Sequence, residues 1–327
     1  MKKIYYMGDF VSNNGPANVN KQYAYYLGNS CNYCKTNNKF IRVVHFFYCL
    51  NNTNLLLVSG LSKFHLNAIK IAKRHGIKVV YLMHGYSKME YDINCIPQQD
   101  RRLEEVEKEI LREANKVICV SEVFAKYMKE KKQDIASKFD FVNNGVSYKN
   151  KNLKRNVSDT YTIISVGGGV RRKNNLDVCK AIKKINKPII KFIVIGDKGK
   201  DGEEIAKYNF VEYYESLDHN EVLRKMNNAD LYIQNSYYDT FGLAVIEALE
   251  ENCRILIGRN VGAISILNNL NENMIIENNE DIDEIKNKII YAIKNNEDKF
   301  PTIDYNICCW ENRTKELLEK LGEVMNE

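Results

Sequence analysis

Short apolar runs alternate along the chain with stretches in which apolar residues recur every three or four positions. The runs predict buried parallel strands, and the recurrences predict amphipathic helices. In the first half, strands are predicted at Ile4–Met7, Arg42–Tyr48, Leu55–Ser59, Lys78–Met83, Lys116–Val120 and Phe139–Val142. Helices are predicted at Val19–Leu27, Leu66–Ala72, Leu103–Ala114 and Val123–Met128, with a turn at Asn143-Asn144-Gly145. Residues Ser147–Thr160 are polar, carry no period and read as a linker. The rhythm then restarts, with strands at Tyr161–Val166, Ile189–Ile195, Phe210–Tyr214, Leu231–Gln234 and Arg254–Ile257. Helices follow at Asn174–Ile185, Asn220–Asn227, Phe241–Glu250 and Ile282–Ile293, and a last one at Trp310–Met325. This predicts an α/β protein of two doubly wound, Rossmann-like domains. Open parallel sheets bind ligands at the carboxyl ends of their strands, so a cleft between the domains is the expected site.

The length of 327 residues suits two domains. With 44% hydrophobic and 28% charged residues, a disordered chain, a collagen-like chain and a small disulfide scaffold are excluded. No run approaches the roughly 20 apolar residues that cross a bilayer. Met1-Lys2-Lys3 resembles the start of a signal peptide, but Gly8, Asp9, Ser12, Asn13 and Asn14 interrupt any apolar core. A cytoplasmic protein is expected. The nine cysteines fit a reducing compartment. Cys31-x2-Cys34 is the one CxxC and has no second pair at zinc-ribbon distance. Cys49, Cys95, Cys119, Cys179 and Cys253 read mostly as buried small residues.

Charge is uneven. Residues 1–150 hold 23 Lys and Arg against 13 Asp and Glu, while the remainder holds 25 against 29. Scattered surface charge would explain this, and so would a first half that faces something anionic. Lys126, Lys129, Lys131 and Lys132 gather around Tyr127 and Met128, a mixture suited to an anionic membrane face.

The stretch with most chemistry runs from Leu231 to Leu249. An apolar strand ends at Gln234, a polar loop carries Asp239 and Thr240, and a helix opens near Phe241-Gly242 and carries Glu247. Helix N-termini present unpaired N–H groups and suit a phosphate. Gly242 removes the side chain where an anion would approach, and Glu247 can accept from two adjacent hydroxyls, as on a ribose. Asp239 as a plain cap and Glu247 as an ordinary helix carboxylate fit the same spacing.

This stretch resembles the signature of retaining GT-B glycosyltransferases of the family 4 type, the glycosyl transferases group 1. Asp239, Phe241-Gly242 and Glu247-Ala248-Leu249 match its acid, Phe-Gly and second acid eight positions on. The family's first acid is usually Glu, so Asp239 is a departure. The resemblance implies that Asp239 contacts the donor sugar, that Glu247 holds the ribose, and that Phe241, Gly242 and Leu243 line the nucleotide site. Ser165–Asn174 carries Gly167-Gly168-Gly169 and Arg171-Arg172-Lys173, a glycine-rich turn with cations that suits a diphosphate. Lys173 matches the family's phosphate-binding lysine. The usual Arg after the first Gly is Gly168 here, with Arg171 or Arg172 as its substitute. Gly196, in Ile195-Gly196-Asp197-Lys198-Gly199, matches the turn bordering the nucleotide, and Asn260-Val261-Gly262-Ala263-Ile264 matches the loop beside the phosphates. In the first half, Gly15-Pro16-Ala17 matches the loop bordering phosphate and acceptor, and His84 the histidine near the donor sugar. Val120-Ser121, Asn144-Gly145-Val146 and Cys309-Trp310-Glu311 are further landmarks.

The resemblance implies a first, acceptor-side domain over residues 1–150 and a nucleotide-sugar domain over 151–306. A C-terminal helix, about 307–327, would pack back on the first domain. It implies sugar transfer from a nucleotide-diphosphate sugar to a glycan, lipid-linked or protein acceptor, with retention of configuration, in surface polysaccharide or glycoconjugate synthesis. His84, Asp239 and Lys173 would serve catalysis. No cofactor and no divalent metal are expected, and Asp281-Ile282-Asp283 reads as a helix cap. A peripheral place on the inner membrane face and no nucleic-acid partner are also expected. The alternatives are a catalytically weak GT-B partner subunit, a GT-B epimerase or phosphorylase, and a basic nucleic-acid-binding protein.

Overall fold

The computed structural model describes residues 4–147, 160–185, 190–295 and 300–327. All but the two ends of the expected linker, Ser147 and Thr160, lie outside the described residues, as does Ile189 of one expected strand. The chain forms two units, Met1–Ser147 with Tyr305–Glu327, and Tyr148–Asp304.

The first unit holds strands β1 (Ile4–Met7), β2 (Cys31–Tyr33), β3 (Leu55–Val58), β4 (Lys78–Met83), β5 (Lys116–Cys119) and β6 (Phe139–Phe141). They form one parallel sheet in the order β2-β1-β3-β4-β5-β6. Helices α1 (Gly15–Leu27), α2 (Lys39–Leu50), α3 (Lys63–Arg74), α4 (Ser87–Ile93), α5 (Arg102–Glu113) and α6 (Glu122–Lys131) connect them. In the second unit, β7 (Tyr161–Val166), β8 (Ile190–Ile195), β9 (Val211–Tyr214), β10 (Leu231–Gln234), β11 (Arg254–Gly258) and β12 (Ile275–Ile276) form a second parallel sheet. Its order is β12-β11-β10-β7-β8-β9. Here α7 (Asn175–Ile185), α8 (Gly202–Ile205), α9 (His219–Asn228), α10 (Leu243–Glu250) and α11 (Ile282–Lys294) alternate with the strands.

The sheet interiors follow from the apolar runs. Leu55, Leu56, Leu57 and Val58 of β3 are all fully buried, as expected of a strand covered on both faces. In the second unit Ile163, Phe192, Val194, Leu231, Ile233 and Leu256 build the core with Val178 and Ile182 of α7 and Ile285 and Ile289 of α11. The chain then re-enters the first unit through α12 (Tyr305–Cys308) and α13 (Trp310–Asn326). Leu317, Leu321 and Val324 of α13 are buried, and the Trp310 ring meets Tyr23 of α1 edge-on at 5.4 Å.

The expected strand at Arg42–Tyr48 is instead the middle of α2. Its run of Val43-Val44 and Phe46-Phe47-Tyr48 has the density of a buried strand, yet Asn38 caps a helix there, accepting from the Phe40 and Ile41 amides. The sheet position beside β1 is taken by β2, which contains Cys31 of the CxxC pair. The nine cysteines are all free, and Cys95 is exposed rather than buried. The helix expected from Phe241 begins at Leu243, because Gly242 adopts φ +89°.

Candidate functional site

In the second unit the loops following β7, β8 and β10 converge. Gly167, Gly168 and Gly196 all have positive φ. A Cβ on Gly168 would lie 2.1 Å from the Asp197 carbonyl oxygen, so no arginine fits where the family usually has one. A Cβ on Gly167 would sit 2.5 Å from Cγ of Lys173, so this glycine makes room for the lysine stem. The Gly167 and Gly168 amides donate to Ile195 O, and that of Gly169 to Asp197 O and the Tyr213 hydroxyl. These amides are therefore spent inside the protein, and the cations Arg172 and Lys173 are what this turn offers an anion.

Those cations meet Asp239. Lys173 Nζ lies 2.7 Å from Asp239 Oδ2 and Arg172 Nη1 3.3 Å from the same oxygen. Gln234 Nε2 donates to it at 3.0 Å. Burial would push the Asp239 carboxyl up, but Lys173 and Arg172 outweigh it and hold the pKa at about 2. Burial lowers the pKa of the Lys173 ammonium, against the pull of Asp239. Of the two candidate arginines, Arg172 also donates to Tyr238 O at 2.9 Å, whereas Arg171 lies in the field of Asp201.

The Asp239 backbone bridges to Val261, the Gly262 amide donates to Asp239 O, and the Ala263 amide donates to Phe241 O. Phe241 is buried as the hinge of this loop pair. No side chain caps α10. Leu243, Ala244 and Glu247 lie on one partly exposed side of the helix. Glu247 Oε1 stands 3.7 Å from His219 Nε2. Lys173, Arg172, Gly168, Gly196 and Asp239 thus form one cluster, with Gly242 and Glu247 following Asp239 on the same loop and helix.

In the first unit, His84 follows β4. Its Nε2 lies 2.8 Å from Ser59 Oγ, and Ser59 donates to Asn20 Oδ1 at 2.6 Å. Tyr6 donates to the same oxygen, and Asn20 Nδ2 donates to Asp9 O. With the Ser59 proton committed to Asn20, Ser59 accepts from His84 Nε2–H, which makes Nδ1 the lone-pair nitrogen. Burial lowers the His84 pKa to about 4, so the ring is neutral at pH 7. Gly15 opens α1 in open space, with Asn14 as the cap. A pocket of about 300 Å³ is lined by His84, Ser59, Asn20, Pro16, Glu90 and Glu107, among others. Glu107 Oε2 accepts from the Ser87 amide and hydroxyl, and Oε1 has no partner. Burial raises the Glu107 pKa to about 7.

Gln234, Ser59, Asn20 and Glu107 were not singled out from sequence. The signal for Gln234 and Ser59 was a polar residue closing an apolar strand; nothing local marks Asn20 or Glu107.

Residues 148–305 match the family described as glycosyl transferases group 1. The match lies in the second unit and leaves most of the first outside it. No curated protein matches it in sequence. The chain is similar in fold to HepE of Anabaena, solved with UDP and glucose: TM-score 0.70, 14% identity, 98% of this chain and 100% of that one. It is also similar to WaaB, a lipopolysaccharide outer core galactosyltransferase, with TM-score 0.68 and 14% identity over 99% of each chain. A glycosyltransferase from Rickettsia africae gives TM-score 0.64 and 14% identity over 99% and 98%. At these identities the likeness establishes the fold alone, which is GT-B.

Proposed function

We propose that the chain transfers a sugar from a nucleotide-diphosphate sugar to a glycan, lipid-linked or protein acceptor, with retention of anomeric configuration. The observation that carries this is the meeting of Lys173 and Arg172 with Asp239 beside the start of α10. Lys173 and Arg172 neutralise the leaving diphosphate, a role that fixed cations perform without a divalent metal. Asp239 accepts from hydroxyls of the transferred sugar, and Glu247 holds the ribose. Gly168, Gly196 and Gly242 keep the walls bare of side chains, and Phe241 and Leu243 position the nucleotide. Gly15 lies at the acceptor side, and His84 serves turnover through its lone-pair nitrogen. HepE carries UDP or UDP-glucose and an E. coli neighbour carries UDP-2-fluoro glucose, while a starch synthase neighbour carries ADP, which supports a nucleotide-diphosphate donor here.

The place of this reaction is surface polysaccharide or glycoconjugate synthesis, with the first unit resting on an anionic membrane face on the cytoplasmic side. A panel of nucleotide sugars tests the core of the reading. One of them is expected to raise the thermal midpoint and to be hydrolysed slowly without acceptor. If none stabilises the protein or is consumed, the transferase reading fails in favour of a partner subunit.

A further inference from the structure

Helix α2 is apolar on its outward side as well as its inward one. At roughly 100° per residue, Val43, Phe47, Phe40, Val44, Tyr48 and Ile41 occupy one continuous arc of about 160°. All six are exposed, Phe40 at 76% and Tyr48 at 83%. They are half of the twelve exposed large hydrophobic residues among those described. The opposite side carries Arg42 and His45 beside the buried Phe46, Cys49 and Leu50. Arg42 Nη2 donates to Gly8 O at 3.0 Å and its guanidinium lies over the Phe64 ring. His45 Nδ1 lies 3.0 Å from the Tyr5 hydroxyl, and Phe46 packs edge-on against Tyr5. The inward contacts fix the helix, and the apolar arc is left outward.

The stretch of sequence around this helix is basic. Residues 10–89 contain ten Lys and Arg and no Asp or Glu. Lys35 and Lys39 lead into α2 and are exposed. A twelve-residue helix is about 18 Å long, too short to cross a bilayer. No helix of the described residues is long and apolar enough to do so. An aromatic-rich arc flanked by lysines, with Asp9 held on the inward side beside Arg42, fits the boundary between anionic headgroups and acyl chains.

We propose that α2 is the membrane-docking element of this protein, lying in the plane of an anionic lipid surface with Phe40, Phe47 and Tyr48 inserted. This deepens the membrane association proposed above and rests on it for the partner, not on sugar transfer. The lysine cluster on α6 cannot supply the apolar part in the same way. Met128 is fully buried, and Lys131 and Lys132 lie over the Tyr127 and Tyr86 rings.

The test uses the full chain and sedimentation with vesicles of equal parts phosphatidylcholine and phosphatidylglycerol, at low and high salt. The wild type is expected to pellet with these vesicles, and less with phosphatidylcholine alone. Phe40→Ser, Phe47→Ser and Tyr48→Ser together should lower the partition at least about tenfold with the thermal midpoint kept. As a direct reading of insertion, Phe47→Trp emission should be quenched by brominated lipid, with the buried Trp310 as background. Unchanged binding of the triple variant overturns α2 as the surface and leaves membrane association standing. No binding by the wild type overturns both. A wild-type dimer that the triple variant dissolves, without vesicle binding, shows a second copy on this face and also overturns the proposal.

Discussion

Lys173 Nζ and Asp239 Oδ2 are 2.7 Å apart, although 66 residues separate them. The lysine comes from the turn after β7 and the aspartate from the loop after β10, adjacent strands of one sheet. The pair is largely buried, with side-chain exposures of 14% and 13%. A donor diphosphate that engages Lys173 therefore shares it with Asp239, which couples phosphate binding to the placement of the Asp239 carboxylate.

Lys173→Ala is expected to weaken nucleotide-sugar binding by about 1.5–3 kcal/mol, the usual cost of a lost charge-assisted hydrogen bond. Glu247→Ala should do the same from the ribose end. Calorimetric titration reads both, and an unchanged dissociation constant in the two variants rejects the donor assignment.

Acid should weaken the second unit. The Asp239 pKa is held at about 2, below its ordinary 3.8. A depressed carboxylate contributes stability that is present above the ordinary value and lost as pH falls through the folded one. The contribution is about 2 kcal/mol and disappears between about pH 4 and pH 2. Asp239→Asn should be less stable at neutral pH, because it leaves Lys173 and Arg172 uncompensated. It should also lose less on acidification across that window, as followed by urea unfolding at a series of pH values.

Glu107 works in the opposite direction. Its folded pKa of about 7 exceeds the ordinary 4.5, so the protonated acid stabilises the fold and this benefit is lost as pH rises. Stability should fall between about pH 4.5 and 7 by about 3 kcal/mol at most. Glu107→Gln keeps an oxygen for Ser87 and removes the charge, so it should flatten this slope and be more stable than wild type at pH 8. An identical pH profile in wild type and variant would show that Glu107 ionises normally.

His84→Ala should lower turnover more than donor affinity, since its partners Ser59 and Asn20 belong to the first unit. Steady-state rates set beside titrated dissociation constants separate the two. Equal losses in both would make His84 a binding residue.

Sugar transfer should survive an excess of chelator, with Lys173 and Arg172 neutralising the leaving group. Activity abolished by chelator and restored by magnesium or manganese would require a metal at the diphosphate.

The parallel strands were legible because burial on both faces leaves unbroken apolar runs, as in Leu55–Val58 and Leu231–Ile233. The loop from Asp239 to Glu247 was legible because its members are close in sequence. Helix α2 was not. Its outward face is apolar, so the usual alternation of a surface helix is missing and the run looks like a strand. The polar network of His84, Ser59 and Asn20 was also hidden, since Ser59 and Asn20 are 39 residues apart and meet only across adjacent elements. Gly168 showed a departure from the family's arginine, and the carbonyl of Asp197 beside it explains why no side chain could stand there.

The first unit is made of two separated pieces, and this has a consequence for synthesis on the ribosome. Residues 305–327 complete it, with Trp310 filling a place against Gly145 where even a Cβ would come within 2.4 Å of the ring. The second unit has all its strands once residue 304 has emerged, whereas the first, begun earlier, still lacks α13. Translation order and completion order are thus reversed. A chain stalled before Tyr305 would carry a finished second unit attached to a first unit whose Tyr23 and neighbouring apolar groups lie open, the kind of surface that chaperones and proteases recognise.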